Sequence, residues 1–413
     1  MRIATSNHND RSVELMQQRQ QAMQRSQEQL ISGKRVSRAS DDPTAAARVE
    51  RALAQEMRLQ ASQRSLEASR SVMLQAESSM GEAGELLQRA RELLVEAGNA
   101  SYSDAERRTL AERMRGLRED LLKVANRGDG SGGFIFGGQG TGQAPFVDMP
   151  PKRDSTGKLI EPAVARYHGV PGQVVAQAGE PLPMTVDGEQ AFMRSPTGNG
   201  VFVTQPAAGN GPGAWIDGGS VLDPSALTGK NYEIVFSASG SATTYQVNRV
   251  EDGTSTPVGS PQPFESGKAI SFDGLAVVVK GVPATGDTYT IQPSTPDLSV
   301  FATLERAANE LAEPRRSNAQ VMQTVTTGLR EIDSALNTVL SVRSRLGSVL
   351  ERTETVEKRL GDLKLQAQTE KAAAEDLDMA QAVSDFKIRQ TSYDAALKAY
   401  SMVQRLSLFD YLR

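Results

Sequence analysis

Hydrophobic positions recur every seven residues near both ends of this chain and lose that period in the middle. Met16, Met23 and Leu30 share one heptad position, with Val13, Gln20 and Gln27 at its partner. Further on, Leu59, Leu66, Met73, Met80, Leu87 and Leu94 form an unbroken series, and Ser62, Ser69, Ala76, Ala83 and Ala90 stand three residues after the first five. Large residues alternating with small ones at this spacing predict long helices that pack closely along a seam. A helix over residues 44–97 would run about 80 Å at 1.5 Å per residue.

The interruptions are as informative as the period. Gly33 is a helix stop, and Asp42-Pro43 has the form of an N-cap followed by proline at the first helical position. A short extended strap should therefore join two helices. Gly98-Asn99 breaks the long helix, and Ser103-Asp-Ala-Glu106 has the capping-box form for the next one, which should stop at Asn126-Arg127-Gly128.

The C-terminal part mirrors this. Asp297 is placed to cap a short helix carrying Leu304 and Leu311, ended by Pro314. From Asn318 a second long helix carries Val325, Ile332, Val339, Leu346 and Leu360 in one register, with Leu329, Leu336 and Leu350 in the other. Thr353 and Arg343 interrupt the two rows, as register-fixing polar residues do. Beyond Asp376-Leu-Asp378, Met379, Phe386, Tyr393 and Tyr400 are again seven apart, beside Val383 and Leu397.

Heptads at both ends predict that the two arms pack antiparallel into one rod. A helix pair leaves each outer face open, so Met16, Met23, Leu30, Phe386, Tyr393 and Tyr400 cannot all be covered within one chain. Such tips either bury themselves in a partner or order only on finding one. A long intramolecular bundle with no assembly role is the alternative.

Glycine and proline concentrate between residues 128 and 295, which makes that region turn-rich. Gly133-Phe-Ile-Phe-Gly137, Tyr232–Phe236, Thr244–Asn248, Ala269–Phe272, Leu275–Val279 and Asp287–Gln292 are β-branched or aromatic runs and predict strands, with Asp273-Gly274 as a hairpin turn. Trp215 is expected to plug the core of this region. The fold class that results is α+β, a discontinuous coiled-coil rod from both chain ends with an inserted β-rich domain. Its segments are 1–43, an assembly helix and strap; 44–140, half of the rod; 141–295, the insert; 296–375, the other half; and 376–413, a second assembly helix.

Composition narrows the chemistry. The 413 residues carry a net charge of -4, with Lys and Arg interspersed among Asp and Glu, so no footprint for nucleic acid exists. There is no cysteine and there are two histidines, His8 and His168, far apart in the chain. A Cys/His pair is excluded, a Ser-His-Asp triad is not supported, and no His-Glu-x-x-His motif occurs. Gly128-Asp-Gly-Ser-Gly-Gly133 follows a predicted helix and precedes a predicted strand, the reverse of a phosphate cradle. Asp41-Asp42 is expected to be helix-capping rather than metal-ligating. No run reaches the apolar length of a membrane span, and no apolar stretch of signal-peptide length stands near the N-terminal end. The expectation is no active site, no cofactor, no metal, and no nucleic-acid or membrane partner.

The strap and the two ends carry a family resemblance. Ser32-Gly-Lys-Arg-Val-Ser-Arg-Ala-Ser-Asp-Asp-Pro43 resembles the N-terminal signature of bacterial flagellins and their FlgL-type relatives, in particular at Ser32, Gly33, Lys34, Arg35, Ser40, Asp41, Asp42 and Pro43. Asp376-Leu-Asp-Met-Ala-Gln-Ala-Val-Ser resembles the C-terminal motif of the same family. Met1-Arg-Ile-Ala-Thr-Ser, Gly132-Gly-Phe-Ile-Phe-Gly-Gly138 and Leu406-Ser-Leu-Phe-Asp-Tyr-Leu412 are more similar to the FlgL branch than to flagellins. The resemblance covers roughly residues 1–140 and 296–413. It implies a structural adaptor between flagellar hook and filament, exported unfolded by the flagellar type III system to the cell exterior. It also implies, as partners, copies of itself in a ring, the first hook-associated protein, flagellin and a cytoplasmic export chaperone. Met16, Met23, Leu30, Met379, Val383, Phe386, Tyr393, Leu397 and Tyr400 are then the expected assembly or chaperone surface. A flagellin, or an adhesive filament protein with a ligand-binding β domain, are the alternatives.

Overall fold

The computed structural model describes the backbone of residues 2–140, 142–155, 159–239 and 242–411; His8 and the closing Leu406–Leu412 phrase lie outside the residues whose side chains are described. In chain order the helices are α1 Arg2–Ser32, α2 Pro43–Ala97, α3 Asp104–Ala125, α4 Gly188–Phe192, α5 Val300–Ala312, α6 Asn318–Glu375 and α7 Met379–Tyr411. The strands fall between α3 and α5, so the α+β order of helices, β-rich region and helices is present. No described helix is long and apolar enough to cross a membrane.

The local signals act where the sequence places them. Gly33 has φ +68, a conformation that costs glycine little, and α1 stops at the residue before it. Asp42 Oδ1 accepts hydrogen bonds from the Thr44 and Ala45 amides at 3.1 and 3.0 Å, capping α2, with Pro43 as its first residue. Ser103 accepts from the Glu106 amide while the Glu106 carboxylate accepts from the Ser103 amide at 2.7 Å, a complete capping box. The cap of α5 is Ser299 rather than Asp297: its hydroxyl accepts from the Ala302 amide at 3.4 Å.

The chain divides into two compact units, Ser65–Glu354 and the pair of segments Met1–Arg64 and Thr355–Arg413. In the larger unit α2 and α6 run antiparallel. Arg91 pairs with Asp333 at 2.8 Å and Glu77 with Arg343 at 2.7 Å, numbers rising along one helix as they fall along the other. Leu66, Met73, Met80, Leu87 and Leu94 are buried, as are Ser69, Ala76, Ala83 and Ala90 beside them. From α6 the Val325, Ile332, Val339 and Leu346 row is buried in turn. The helices approach so closely that a Cβ on Gly328 would lie 2.7 Å from Leu94 Cδ1. Leu110, Met114 and Leu121 of α3 and Leu304 and Leu311 of α5 complete this core.

The stretch around Gly133–Gly137 does not form the expected strand. It makes isolated bridges, Gly128 with Phe134 and Gly137 with Asp187, and sends Ile135 and Phe136 into the helical core. There Phe136 and Phe146 both meet Phe192 edge-on, with ring centroids 5.2 and 5.6 Å apart, and Phe146 lies 5.4 Å from Phe301. An apolar run between glycines is compatible with a strand or a buried coil, and here the aromatic cluster decides.

Residues 202–293 have a core of their own. One sheet orders Thr254–Pro257, Ala242–Glu251, Asn231–Ser239, Thr288–Pro293 and Phe202–Pro206, with Gln262–Pro263 pairing off this path; the other orders Ala269–Phe272, Leu275–Gly281 and Ala214–Ile216, with Ser220–Val221 alongside. The named pairs are antiparallel. Tyr232, Ile234 and Phe236 alternate inward, as period-two strands require, and meet Tyr289, Ile291, Val277, Val279 and Ile216. Trp215 is not the plug. It is half-buried, with Lys280 Nζ 5.2 Å from its ring centroid, and its neighbour Ile216 occupies the interior. Asp273 and Gly274 turn the hairpin with φ 41 and 77, the left-handed pair of a type I′ turn.

Candidate assembly site in the smaller unit

The strap threads from α1 to α2 by pairing with the α6–α7 junction. Its first residues make a short antiparallel crossing: Lys34 opposes Asp376, the Leu377 amide donates to the Gly33 carbonyl at 3.0 Å, and the Arg35 amide donates to the Glu375 carbonyl at 2.7 Å. Side chains reinforce it. Lys34 forms an ion pair with Glu375, and Arg35 donates both to the Ala374 carbonyl at 2.9 Å and to Asp42 at 3.2 Å. Val36 is buried beneath the crossing. The second half of the strap is tied to itself, Asp41 accepting from the Ser37 and Arg38 amides at 3.2 and 2.9 Å. Asp41 and Asp42 are thus backbone-binding carboxylates, and Ser40 lies exposed.

The electrostatics follow from these partners. The Ala45 amide, the Thr44 hydroxyl and the Arg35 guanidinium hold the Asp42 carboxyl down at about 2. The hydrogen bond and charge of Glu375 raise the Lys34 ammonium above its ordinary value. On the far side of the crossing Asp378 accepts from the Ala380 and Gln381 amides at 3.0 and 3.1 Å and so caps α7.

From this clamp α1 and α7 leave as an antiparallel pair. Arg19 donates to the Ser392 carbonyl at 2.9 Å and Arg389 to the Ala22 carbonyl at 3.1 Å. Met16, Met23, Leu30, Phe386, Tyr393 and Tyr400 are each half-buried. Met379, Val383 and Leu397 are exposed. The two tips pair with each other, and this still leaves apolar surface uncovered. Leu15 and Ile31 on α1 and Ile388 and Met402 on α7 belong to that surface, Met402 at 64 % exposure. These four lie outside the heptad rows of Met16 and Phe386. Ile388, Ala395 and Met402 are seven apart, a second row on α7 that the aromatic row had overshadowed. Among the described residues no group of His, Cys, Asp or Glu could hold a metal ion.

Residues 3–141 match the family described as bacterial flagellin N-terminal helical region, and residues 329–412 match the bacterial flagellin C-terminal helical region. A crystal structure of the flagellar junction protein FlgL from Legionella pneumophila is 30% identical, with a TM-score of 0.61, over 71% of this chain and 94% of that one. The chain belongs to the flagellin/FlgL family. Flagellar hook-associated protein 3 of Escherichia coli K12 is 25% identical over 386 residues, 92% of this chain and 90% of the relative. The crystal structure of hook-associated protein 3 from Legionella pneumophila has a TM-score of 0.66 at 27% identity, covering 78% of this chain and 97% of that one. This is a structural component of the bacterial flagellum, and its family is of a non-enzymatic kind. In the middle region, residues 207–293 match the D2-like domain of flagellar hook-associated protein 1. That span coincides with the independent β core.

Proposed function

We propose that this chain joins the flagellar hook to the filament. Copies of it would form a ring, with the paired terminal helices turned inward and the β-rich region outward. The first hook-associated protein would lie on one side of this ring and flagellin on the other. The observation that carries this reading is the apolar surface that α1 and α7 keep after pairing, on Leu15, Ile31, Met379, Val383, Ile388, Leu397 and Met402. A helix pair with that much exposed apolar side chain is a surface for protein contact. Its likeness to proteins named hook-associated protein 3 and flagellar junction protein supports the position at the junction. Before export the same face of α7 would be held by a cytoplasmic chaperone, since an uncovered apolar helix is a hazard until it reaches its site.

The test is electron microscopy of a strain lacking the gene. Bare hooks with flagellin released into the medium are the expected result. Hooks that carry their junction but lack a filament, with no flagellin in the medium, would make the chain a flagellin instead. Filaments of normal length would overturn both.

A further inference from the structure

In the larger unit, on the side of α6 away from its heptad row, a groove of about 700 Å³ opens between the helix and the loops at Pro196–Gly200 and Gly218-Gly219. Its helical wall is a polar stripe: Arg330, Ser334, Asn337, Ser341 and Arg345 recur at three- and four-residue steps, so they share one face. Arginine stands at each end of the stripe, and fifteen residues of helix separate them by roughly 22 Å.

Arg330 is the unusual member. Its two terminal nitrogens donate to Thr204, to the hydroxyl at 2.8 Å and the carbonyl at 3.3 Å, and both acceptors are neutral. Its Nε is buried with no hydrogen-bond partner, and among the described residues the guanidinium has no carboxylate partner. The nearby acids are engaged elsewhere: Asp333, which also lines the groove, pairs with Arg91, Glu331 pairs with Arg306, and Asp217 accepts from the Gly219 and Val278 amides, both at 2.9 Å. Burial lowers the Arg330 pKa below its ordinary value, Arg306 adding to the fall and the charges of Glu331 and Asp217 opposing it. The position is built in, since a Cβ on Gly218 would lie 3.0 Å from Arg330 Cδ. A half-buried guanidinium with no carboxylate hydrogen-bonded to it is costly, and a carboxylate is the group that offsets it.

We propose that this groove binds an extended acidic segment of a partner polypeptide, one carboxylate seated toward Arg330 and another toward Arg345. The length of the stripe selects a polypeptide over a small anion. An extended chain advances about 3.3 Å per residue, so six or seven residues reach from one arginine to the other.

The test uses the full-length protein and a fluorescein-labelled heptapeptide, Glu-Gly-Ser-Gly-Ser-Gly-Glu, followed by anisotropy at low salt. Saturable one-site binding is expected, at least tenfold tighter than that of the same peptide with Gln at both ends and than that of Glu-Gly-Glu. Arg345→Gln and Asn337→Asp, both on exposed positions, should each weaken binding at least threefold with an unchanged melting curve. Arg330→Gln should weaken it at least tenfold. Should Arg330→Gln fold poorly through loss of Thr204, the two exposed variants decide. Equal binding of the Glu and Gln peptides, no saturable binding, or variants that bind like wild type would overturn the proposal. Succinate or Glu-Gly-Glu binding as tightly as the heptapeptide would overturn it too, making the groove a site for small anions.

Discussion

Phe236→Ala should unfold the β-rich region early and leave the helices alone. The Phe236 ring is fully buried, edge-on to Phe264 at 5.1 Å and to Tyr289 at 5.8 Å. Truncating such a ring costs about 3–5 kcal/mol, the transfer term plus the cavity left behind. In a region of roughly a hundred residues, each kcal/mol moves the midpoint by about 4–8 °C, so a fall of about 12–40 °C is expected. The core that holds Phe236 draws only on residues between Phe202 and Ile291, while the helical core draws on α2, α3, α5, α6 and the Phe136–Phe192 aromatics. Hydrogen exchange with peptide resolution is the assay. Amides of Asn231–Ser239 should exchange faster by about a hundredfold to a few thousandfold, at 1.4 kcal/mol per tenfold. Those of α2 and α6 between residues 66–94 and 325–346 should not change. Equal loss of protection in both sets would refute the separation of the two cores, and so would a single cooperative transition displaced as a whole.

Three further outcomes test the helical parts. Ile388→Asp with Met402→Asp alters exposed positions, so the melting curve should stay within about 0.5 kcal/mol of wild type, while motility and hook attachment are lost; normal swimming would remove this face from assembly. Ala83→Leu inserts methylenes where Ala83 is fully buried and should cost about 1–3 kcal/mol by denaturant titration; a neutral result would mean that α2 and α6 separate more readily than their close packing indicates. The folded pKa of Asp42 lies near 2, below that of an unfolded carboxylate. Its contribution is therefore present above about pH 4 and disappears as pH falls toward 2. A carboxyl-carbon titration by NMR should show this depressed midpoint, and Arg35→Gln should move it upward; a midpoint near 4 in wild type would contradict the capping geometry.

What could be read in the sequence was whatever depends on neighbours along the chain. Gly33, Asp42-Pro43 and Ser103 through Glu106 act through hydrogen bonds a few residues long, and the heptads act through helix periodicity. What could not be read depends on residues brought together by the fold. Ile135 and Phe136 abandon a strand because the helical core buries both, with Phe192 edge-on to Phe136. Trp215 stays half outside because Ile216, one step along the strand, points the other way. Of the candidate assembly residues, the motif marked the strap, but its pairing with Glu375 through Leu377 has no signal in either segment alone. Ile388 and Met402 were overlooked because α7 is apolar around more than one face, so period alone does not say which row the partner helix covers.

The crossing of the strap has a consequence in time. Arg35 and the Ala374 carbonyl it grips are 339 residues apart, and Arg19 and Ser392 are 373 apart. Contacts of such separation gain nothing until nearly the whole chain is available, and the entropy of closing so long a loop must be met first. A chain emerging end-first from a channel can fold its β-rich core and pack α3 against α5 while its last residues are still inside. The clamp at Lys34 and Asp376 cannot close until both of its halves are out, whichever end leads. The tips are thus the last part to acquire their shape.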